Sequence, residues 1–198
     1  MGKGDKTRDA ILDRALRMAS ELGLEGLTIG RLADELELSK SGLFAHFSSK
    51  DNLQVQTLDR AAERFADAVV RPALAAPAGE PRLRALFEGW LDWPKRVRLP
   101  GGCLFAGAAT ELDDRPGPAR DRLVELQREW LSTIERVVRR GQEVGHLRKD
   151  LDAAQLAFEL LGIALAWNFQ TRLLRVPQAR ARAMAAFERL VADARARS

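Results

Sequence analysis

The chain has 198 residues, 46% of them hydrophobic and 30% charged, with a formal net charge of +4. This is an ordinary water-soluble composition, long enough for one compact domain or two small ones. One cysteine excludes an internal disulfide framework, the polar opening residues lack a signal-peptide core, and no apolar stretch is long enough to cross a membrane, so we expect a cytoplasmic protein.

The first predicted helix runs from about Lys6 to Leu22 and stops at Gly23. Its apolar residues recur at helical spacing on one face: Ile11, Leu12, Ala15, Leu16 and Ala19. The basic residues before it, Lys3, Lys6 and Arg8, form an arm that could contact phosphates or remain a disordered tail.

A second, shorter helix follows, with Thr28 as its N-cap and Ile29, Leu32, Ala33 and Leu36 on one face. A tight turn at residues 37–38 leads to Ser39, which caps a third helix from Lys40 to Ala45. So short a turn makes the two helices cross steeply, as in a helix-turn-helix. Leu43 and Phe47 face the second helix, so the outward face can meet phosphates and base edges in a major groove.

Gly42 lies inside this third helix, where glycine costs about 1 kcal/mol relative to alanine. Its missing side chain allows close approach to a backbone or base, or tight packing against the second helix. Net charge does not decide between DNA and other partners. Residues 1–60 hold nine Lys and Arg against ten Asp and Glu. DNA binding would therefore depend on where the charges point.

These residues closely resemble the DNA-binding domain of the TetR family of transcriptional regulators. The resemblance covers about the first 55 residues and depends on Ala15, Ala19, Gly23, Leu27-Thr28, Leu32-Ala33, Leu38-Ser39, Gly42-Leu43-Phe44, His46-Phe47, Ser49-Lys50 and Leu53.

The resemblance implies phosphate contacts for Thr28, Lys40, Phe44, His46 and Lys50, and an approach of Lys40, Ser41 and Gly42 to base edges. We therefore predict a DNA-binding set of Thr28, Ser39, Lys40, Ser41, Gly42, Phe44, His46 and Lys50. One departure is Phe44, where the family usually has tyrosine; this chain contains no tyrosine, so a phenolic phosphate donor is missing.

A fourth helix starts at a capping box of Ser48 and Asp51, runs past Val69 and ends at Pro72. It places Lys50 in its first turn, where a phosphate can also meet free backbone donors. Because it connects the helix-turn-helix to the remaining chain, we expect it to transmit movement. Residues 75–81 form a linker.

The remaining chain predicts further helices, about nine in total, in an all-α fold. Their predicted ranges are 83–91 with a kink or end at Pro94, 103–112 as a short helix or turn, 119–144, 153–176 with Asp152 as N-cap, and a last helix from Pro177.

The helix from Ala153 is apolar nearly all round between residues 156 and 169, so it must be covered on most sides. Pairing of the last two helices with those of a second copy would form a four-helix interface, which the resemblance implies and a palindromic operator requires. The alternative is a helix central to one subunit. We predict a DNA-binding domain at residues 1–52 and an effector-binding and dimerisation domain at residues 53–198.

The second half is rich in aromatic residues, and the resemblance implies a small-molecule effector between its helices. The predicted pocket set is Phe87, Trp90, Trp93, Cys103, Phe105, Trp130 and Asn168. Further polar candidates are Asp92, Glu111, Gln170 and Arg172. Most of the aromatic residues equally suit a plain core.

An enzyme is the main competing class, but no metal-ligand pair, phosphate loop or nucleophile elbow is found, so we predict no catalytic site, metal or cofactor. A dyad of Cys103 and His146 stays open. The sequence thus predicts a homodimeric, ligand-responsive DNA-binding regulator, a repressor released from a palindromic operator. The alternatives are a dimeric ligand-binding protein without DNA readout, or a thiol sensor through Cys103, which otherwise lies buried as a small apolar residue.

Overall fold

The computed structural model describes residues 3–196, with side chains from Thr7 onward, so Lys3 and Lys6 of the predicted basic arm have side chains outside the described part. The helices are α1 (Lys3–Gly26), α2 (Ile29–Leu36), α3 (Lys40–Phe47), α4 (Lys50–Phe65), a π-helical turn (Ala66–Val70), α5 (Arg71–Ala75), α6 (Glu80–Arg96), α7 (Leu104–Leu112), α8 (Pro118–Glu143), α9 (Ala153–Arg172) and α10 (Ala179–Ala194).

The predicted all-helical fold is confirmed. Since α4, the π turn and α5 follow one another without a break, residues 3–196 form nine helical rods. Within that range the β pairing is limited to a single bridge between Leu147 and Arg195. Helix α1 already begins at Lys3, so the backbone of the described part of the basic arm is helical.

Three predicted N-caps are confirmed. Thr28 and Ser39 accept backbone N–H groups from Arg31 and Gly42, at 3.2 and 3.1 Å. The Asp152 carboxylate accepts those of the second and third residues of α9, at 2.8 and 3.3 Å. Each cap satisfies a donor that the first helical turn leaves free, which fixes where these helices begin.

The predicted capping box at Ser48 is wrong. Ser48 has a φ of 56° and closes α3, donating its N–H to the carbonyl of Phe44 at 2.8 Å. The next residue caps α4 instead, because Ser49 Oγ accepts the N–H of Asn52 at 3.1 Å. Two adjacent serines gave the sequence no means of separating a C-cap from an N-cap.

Three predicted helix ends are also wrong. Pro72 does not stop the fourth helix, because the helical path continues through the π turn into α5 and Pro72 lies in the first turn of α5. Helix α3 continues to Phe47, so His46 lies inside it. Helix α9 ends at Arg172 rather than residue 176, and Arg175 just beyond it adopts a φ of 52°.

The described chain divides into two compact units. Within residues 3–196, the first comprises residues up to 64 and 97–126, and the second residues 65–96 and 127 onward. In the first, α7 packs along α1 although about eighty residues separate them. The turn before α7 fits only without a side chain, because a methyl group at Gly101 would lie 1.5 Å from the Ser20 carbonyl oxygen.

The second unit packs α6, α9 and α10 around large aromatic residues. The rings of Phe87 and Phe187 stack at 4.7 Å with an interplanar angle of 7°. On its surface Glu80, at the start of α6, accepts two hydrogen bonds from Arg195, each at 2.8 Å. Arg195 by its hydrogen bonds, together with Arg84, lowers the pKa of Glu80 to about 2. This ion pair connects the end of α10 to the start of α6.

Candidate nucleic-acid interface

Helices α2 and α3 form a compact pair joined by a left-handed turn. Glu37, with a φ of 54°, closes α2, and the N–H of Leu38 donates to the carbonyl of Ala33 at 3.0 Å. Leu43 and Phe47 are buried to within 1% of full burial. Two buried anchors one turn apart fix the rotation of α3 about its own axis, so the side chains on its other face have set directions.

That other face of α3 is exposed to solvent throughout. It carries Lys40, Ser41, Phe44, Ala45 and His46, and 56% of Phe44 is accessible. The described chain therefore presents the predicted DNA-reading residues together, on one surface, with a cation, hydroxyls and an aromatic ring.

The environment of Gly42 removes one of the two sequence alternatives. A methyl group there would meet only Ser39 Oγ, at 3.0 Å, and no atom of α2 within 4 Å. Packing against the second helix is therefore wrong. Gly42 faces outward, and its lack of a side chain leaves room for a DNA backbone or base edge beside the N-cap.

The side chain of Lys40 bends back toward the start of α2. A methyl group at Gly30 would lie 3.8 Å from Lys40 Nζ and 4.0 Å from Thr28 Oγ1. An ammonium and a hydroxyl thus lie close to the first turn of α2. Those are the donors with which proteins hold a phosphate group.

Lys50, the last predicted phosphate contact, is already engaged. Its Nζ lies 2.7 Å from Oε2 of Glu25, which belongs to the last residues of α1, after the kink at Gly23. The Lys50 hydrogen bond lowers the pKa of the Glu25 carboxyl below its ordinary value. Arg8, in the first helix, is exposed and donates to Gln56 at 2.6 Å.

The segment that carries Glu25 is held by α7. The backbone N–H groups of Leu24 and Glu25 donate to the two carboxylate oxygens of Glu111, at 2.8 and 2.6 Å. Gly23, with a φ of 76°, makes room for that carboxylate. The sequence did not predict the contact between the Glu111 carboxylate and the backbone at Glu25, because no helical or strand period connects residues so far apart.

The predicted effector-pocket residues fall into both units. In the second, the indole of Trp130 meets the ring of Trp90 edge-on, with centroids 4.9 Å apart, and Phe65 lies edge-on to Trp130 at 4.7 Å and to Trp93 at 5.3 Å. Asn168 lies half-buried on α9 and Phe87 is buried against α10. In the first unit, Cys103 is the half-buried N-cap of α7 and Phe105 lies in its first turn.

Protein donors already occupy some of the polar candidates for effector contacts. Arg180 donates to both oxygens of Asp92, at 2.8 and 3.1 Å, and the carboxylate of Glu111 is held as described. Gln170 accepts a bond from Arg182 at 3.3 Å. His146, the other member of the dyad left open by the sequence, accepts the backbone N–H of Glu80 through Nδ1 at 3.3 Å. Its ring thus caps α6.

Helix α9 is apolar on two faces but buried on only one. Leu156, Leu160 and Ala164 lie in the core of the second unit. The opposite side exposes large apolar side chains, with fractions of 69% for Phe158, 52% for Phe169 and 68% for Leu173. The alternative, in which α9 is simply central to one subunit, is therefore wrong, since the described chain does not enclose the helix.

Neither a metal centre nor a membrane span is found in the described residues. No group of three or more His, Cys, Asp or Glu side chains there could hold a metal ion. Likewise, none of their helices combines the length and apolar character that crossing a bilayer requires.

Two family models match the chain. Residues 11–56 match the model described as bacterial regulatory proteins, tetR family, and residues 79–187 match the tetracyclin repressor-like C-terminal domain. The first match covers α2, α3 and the segment holding Glu25; the second covers α6 to most of α10.

Comparisons with individual proteins also indicate the TetR family. The chain is 25% identical over 173 residues to the HTH-type transcriptional repressor DhaR of Mycobacterium sp. (strain GP1), covering 85% of this chain and 81% of DhaR. A crystal structure of a TetR transcriptional regulator from Chloroflexus aurantiacus J-10-fl superposes with a TM-score of 0.80 at 27% identity, over 97% and 96% of the two chains. The structure of AibR in complex with isovaleryl coenzyme A and operator DNA shares the fold, with a TM-score of 0.69 at 20% identity over 93% and 96%.

Proposed function

This chain belongs to the TetR family of transcriptional regulators, and we propose that it represses transcription by holding a palindromic operator until a small molecule releases it. The single observation that carries the proposal is the exposed face of α3, fixed in direction by Leu43 and Phe47. In this function residues 1–52 read the DNA, and residues 53–198 bind the effector and dimerise.

The DNA contacts follow from the arrangement of donors. Lys40 and Thr28 hold one phosphate at the start of α2, while Lys40, Ser41 and Gly42 approach base edges beside the N-cap Ser39. Phe44 and His46 lie along the phosphate backbone of the DNA, and Lys50 contacts a second phosphate. Because Lys40 and Lys50 are the lysines assigned to phosphates here, each DNA-binding domain neutralises few phosphates, and the salt dependence of binding should correspond to that small number.

The dimer that a palindrome requires is supported by the exposed side of α9. A second copy would cover Phe158, Phe169 and Leu173, together with the adjoining α10, in a twofold arrangement. The DNA-binding domains of the two subunits would then be about 34 to 36 Å apart, or a larger multiple of a DNA turn.

The aromatic cluster of Phe65, Trp90, Trp93 and Trp130 supports an effector with an apolar portion. Relatives of this fold include AibR, whose crystal structure holds isovaleryl coenzyme A together with operator DNA. An effector would favour a dimer in which the two DNA-binding domains are spaced differently from the DNA-bound dimer. It weakens DNA binding only to the extent that it binds that conformation more tightly than the DNA-bound one. A regulator of this kind acts in the cytoplasm and needs no catalytic site.

The experiment is a mobility shift of the purified protein on DNA flanking its own gene, with salt and unrelated competitor DNA titrated. A discrete complex that resists competitor supports sequence-specific repression and provides a probe for effector screening. Binding that any competitor removes, at every flanking segment tested, would instead favour a ligand-binding dimer without DNA readout.

A further inference from the structure

Lys50 is at once a predicted DNA contact and a member of an intramolecular ion pair. Its side chain is 36% exposed and that of Glu25 is 49% exposed, with 2.7 Å between Nζ and Oε2. An ammonium offers three donors but one charge, so a DNA phosphate arriving here meets a cation whose charge is already neutralised. The carboxylate of Glu25 would also repel the phosphate.

Hydrogen bonds to the backbone fix the position of Glu25. Its backbone N–H and that of Leu24 end on the Glu111 carboxylate of α7. The carbonyl of Leu24 accepts a bond from the buried Gln54 at 2.7 Å. Three hydrogen bonds therefore hold the backbone beside Lys50, and two of them come from α7.

We propose that Glu25 competes with DNA phosphate for the ammonium of Lys50, and that Glu111 is the positioning residue through which α7 sets this competition. The inference rests on the proposed function, because it assumes that Lys50 meets a phosphate of bound DNA. It adds an intramolecular acidic competitor to the basic contacts, and a specific link from α7 to one of them.

The competition has a measurable sign. DNA must displace Glu25, so the wild-type chain releases less than a full counterion at Lys50. Replacing Glu25 by glutamine frees the ammonium. Affinity should then rise about two- to fivefold, as expected for loss of an exposed ion pair. The slope of log K against log salt should steepen by up to about 0.9, the value of one phosphate contact on B-DNA.

The role of Glu111 predicts a change in the same direction. Glutamine at this position keeps one acceptor oxygen but turns an amide toward a backbone N–H, so one of the two bonds is lost. The Glu25 segment loosens and Lys50 is freed part of the time. Glu111→Gln should therefore steepen the salt slope as well, and should add nothing further when combined with Glu25→Gln.

The test measures fluorescence anisotropy of a labelled duplex of about 30 base pairs, roughly three helical turns, taken from the DNA flanking the gene, over a series of salt concentrations. The variants are Glu25→Gln, Glu111→Gln, their combination, and Lys50→Ala with and without Glu25→Gln. The matched control is Glu35→Gln, which removes a carboxylate from the exposed ion pair with Arg14 in the same unit. It subtracts the general gain from deleting one negative charge.

The expected result is tighter binding and a steeper slope for Glu25→Gln than for Glu35→Gln, with no such gain once Lys50 is alanine. Equal behaviour of the two glutamine variants, or weaker binding by Glu25→Gln, would overturn the inference while leaving the repressor intact. A wild-type chain that binds no duplex would overturn the proposed function and the competition together. Should Glu111→Gln lower the melting temperature and leave the slope unchanged, Glu111 only stabilises the fold and its part of the inference is wrong.

Discussion

Arg60 of α4 forms a two-bond ion pair with Asp13 of α1, with Nε 2.8 Å from Oδ1 and Nη2 3.2 Å from Oδ2. Arg64, one turn further, donates to the same carboxylate. Burial alone would raise the pKa of Asp13, but the hydrogen bonds from Arg64 and Arg60 outweigh it and lower the pKa to about 2. The carboxylate thus joins the first helix to the helix that follows α3.

Asp13→Asn should lower the free energy of unfolding at pH 7 by about 1–2 kcal/mol, part of the roughly 2 kcal/mol that the depressed pKa represents. A depressed folded pKa contributes stability that is complete above the ordinary value. It is lost as pH falls from about 4 to about 2. Urea unfolding followed by circular dichroism should therefore show a difference at pH 7 that shrinks below pH 4. Glu35→Gln, on an exposed pair, is the control; an equal loss there would contradict the assignment.

Gly23→Ala should destabilise the first unit by about 1–3 kcal/mol. The φ of 76° at this position disfavours any side chain, and the added methyl would lie 2.8 Å from Glu111 Oε2. Gly107→Ala in α7 is the matched control, because no neighbouring atom lies within 4 Å there and alanine favours a helix. Thermal unfolding should show a lower melting temperature for the first variant and an equal or higher one for the second. The opposite order would contradict the role of Gly23.

The sequence predicted helices α2 and α3 well because the residues that define them are close together in the chain. Thr28 and Ser39 as caps, and Leu43 with Phe47 as anchors, depend on spacing within a single turn or helix. The π turn after α4 and the continuation past Pro72 were missed, since local chemistry there favours a stop. Tertiary packing decided those two positions.

The site was predicted less completely than the fold. Lys50 was identified by resemblance, whereas its neutralisation by Glu25 depends on a contact across twenty-five residues that no periodicity signals. Glu111 was interpreted as a possible effector contact, yet its carboxylate accepts backbone N–H groups from residues 87 and 86 positions away. Long-range polar contacts of this kind follow from the fold and cannot be read from spacing.

Lys40→Ala should weaken operator binding and reduce the salt slope by about one phosphate contact. Its ammonium lies beside the start of α2, near Gly30 and the hydroxyl of Thr28. Arg71→Ala, at a residue whose side chain is 77% exposed in α5, removes an equal charge from a place without a predicted DNA role. Filter binding over a salt series measures both slopes. Loss of affinity in both variants to the same extent would mean that only total charge matters.

Phe44→Tyr should leave operator affinity unchanged or increase it by up to about tenfold, the value of one added hydrogen bond. The ring is 56% exposed on the outward face of α3, so a phenolic hydroxyl fits without disturbing the core. Phe44→Ala is the companion variant and should weaken binding by removing the apolar contact. Isothermal titration with the operator duplex measures both. A marked loss with tyrosine would place Phe44 away from the phosphate backbone.

Phe158→Glu should convert a dimer into monomers at micromolar concentration. This side chain is 69% exposed on the face of α9 opposite Leu156 and Leu160, and burying a phenylalanine contributes about 1.5–3 kcal/mol. Twofold symmetry doubles the loss, because each interface contains two copies. The control is Leu74→Glu, a residue 47% exposed in α5 and outside the predicted interface. Light scattering after size exclusion gives the mass of each variant, and circular dichroism checks that each remains folded. A folded dimer for Phe158→Glu would move the interface away from α9, whereas a monomer that also loses operator binding would connect dimerisation with DNA reading.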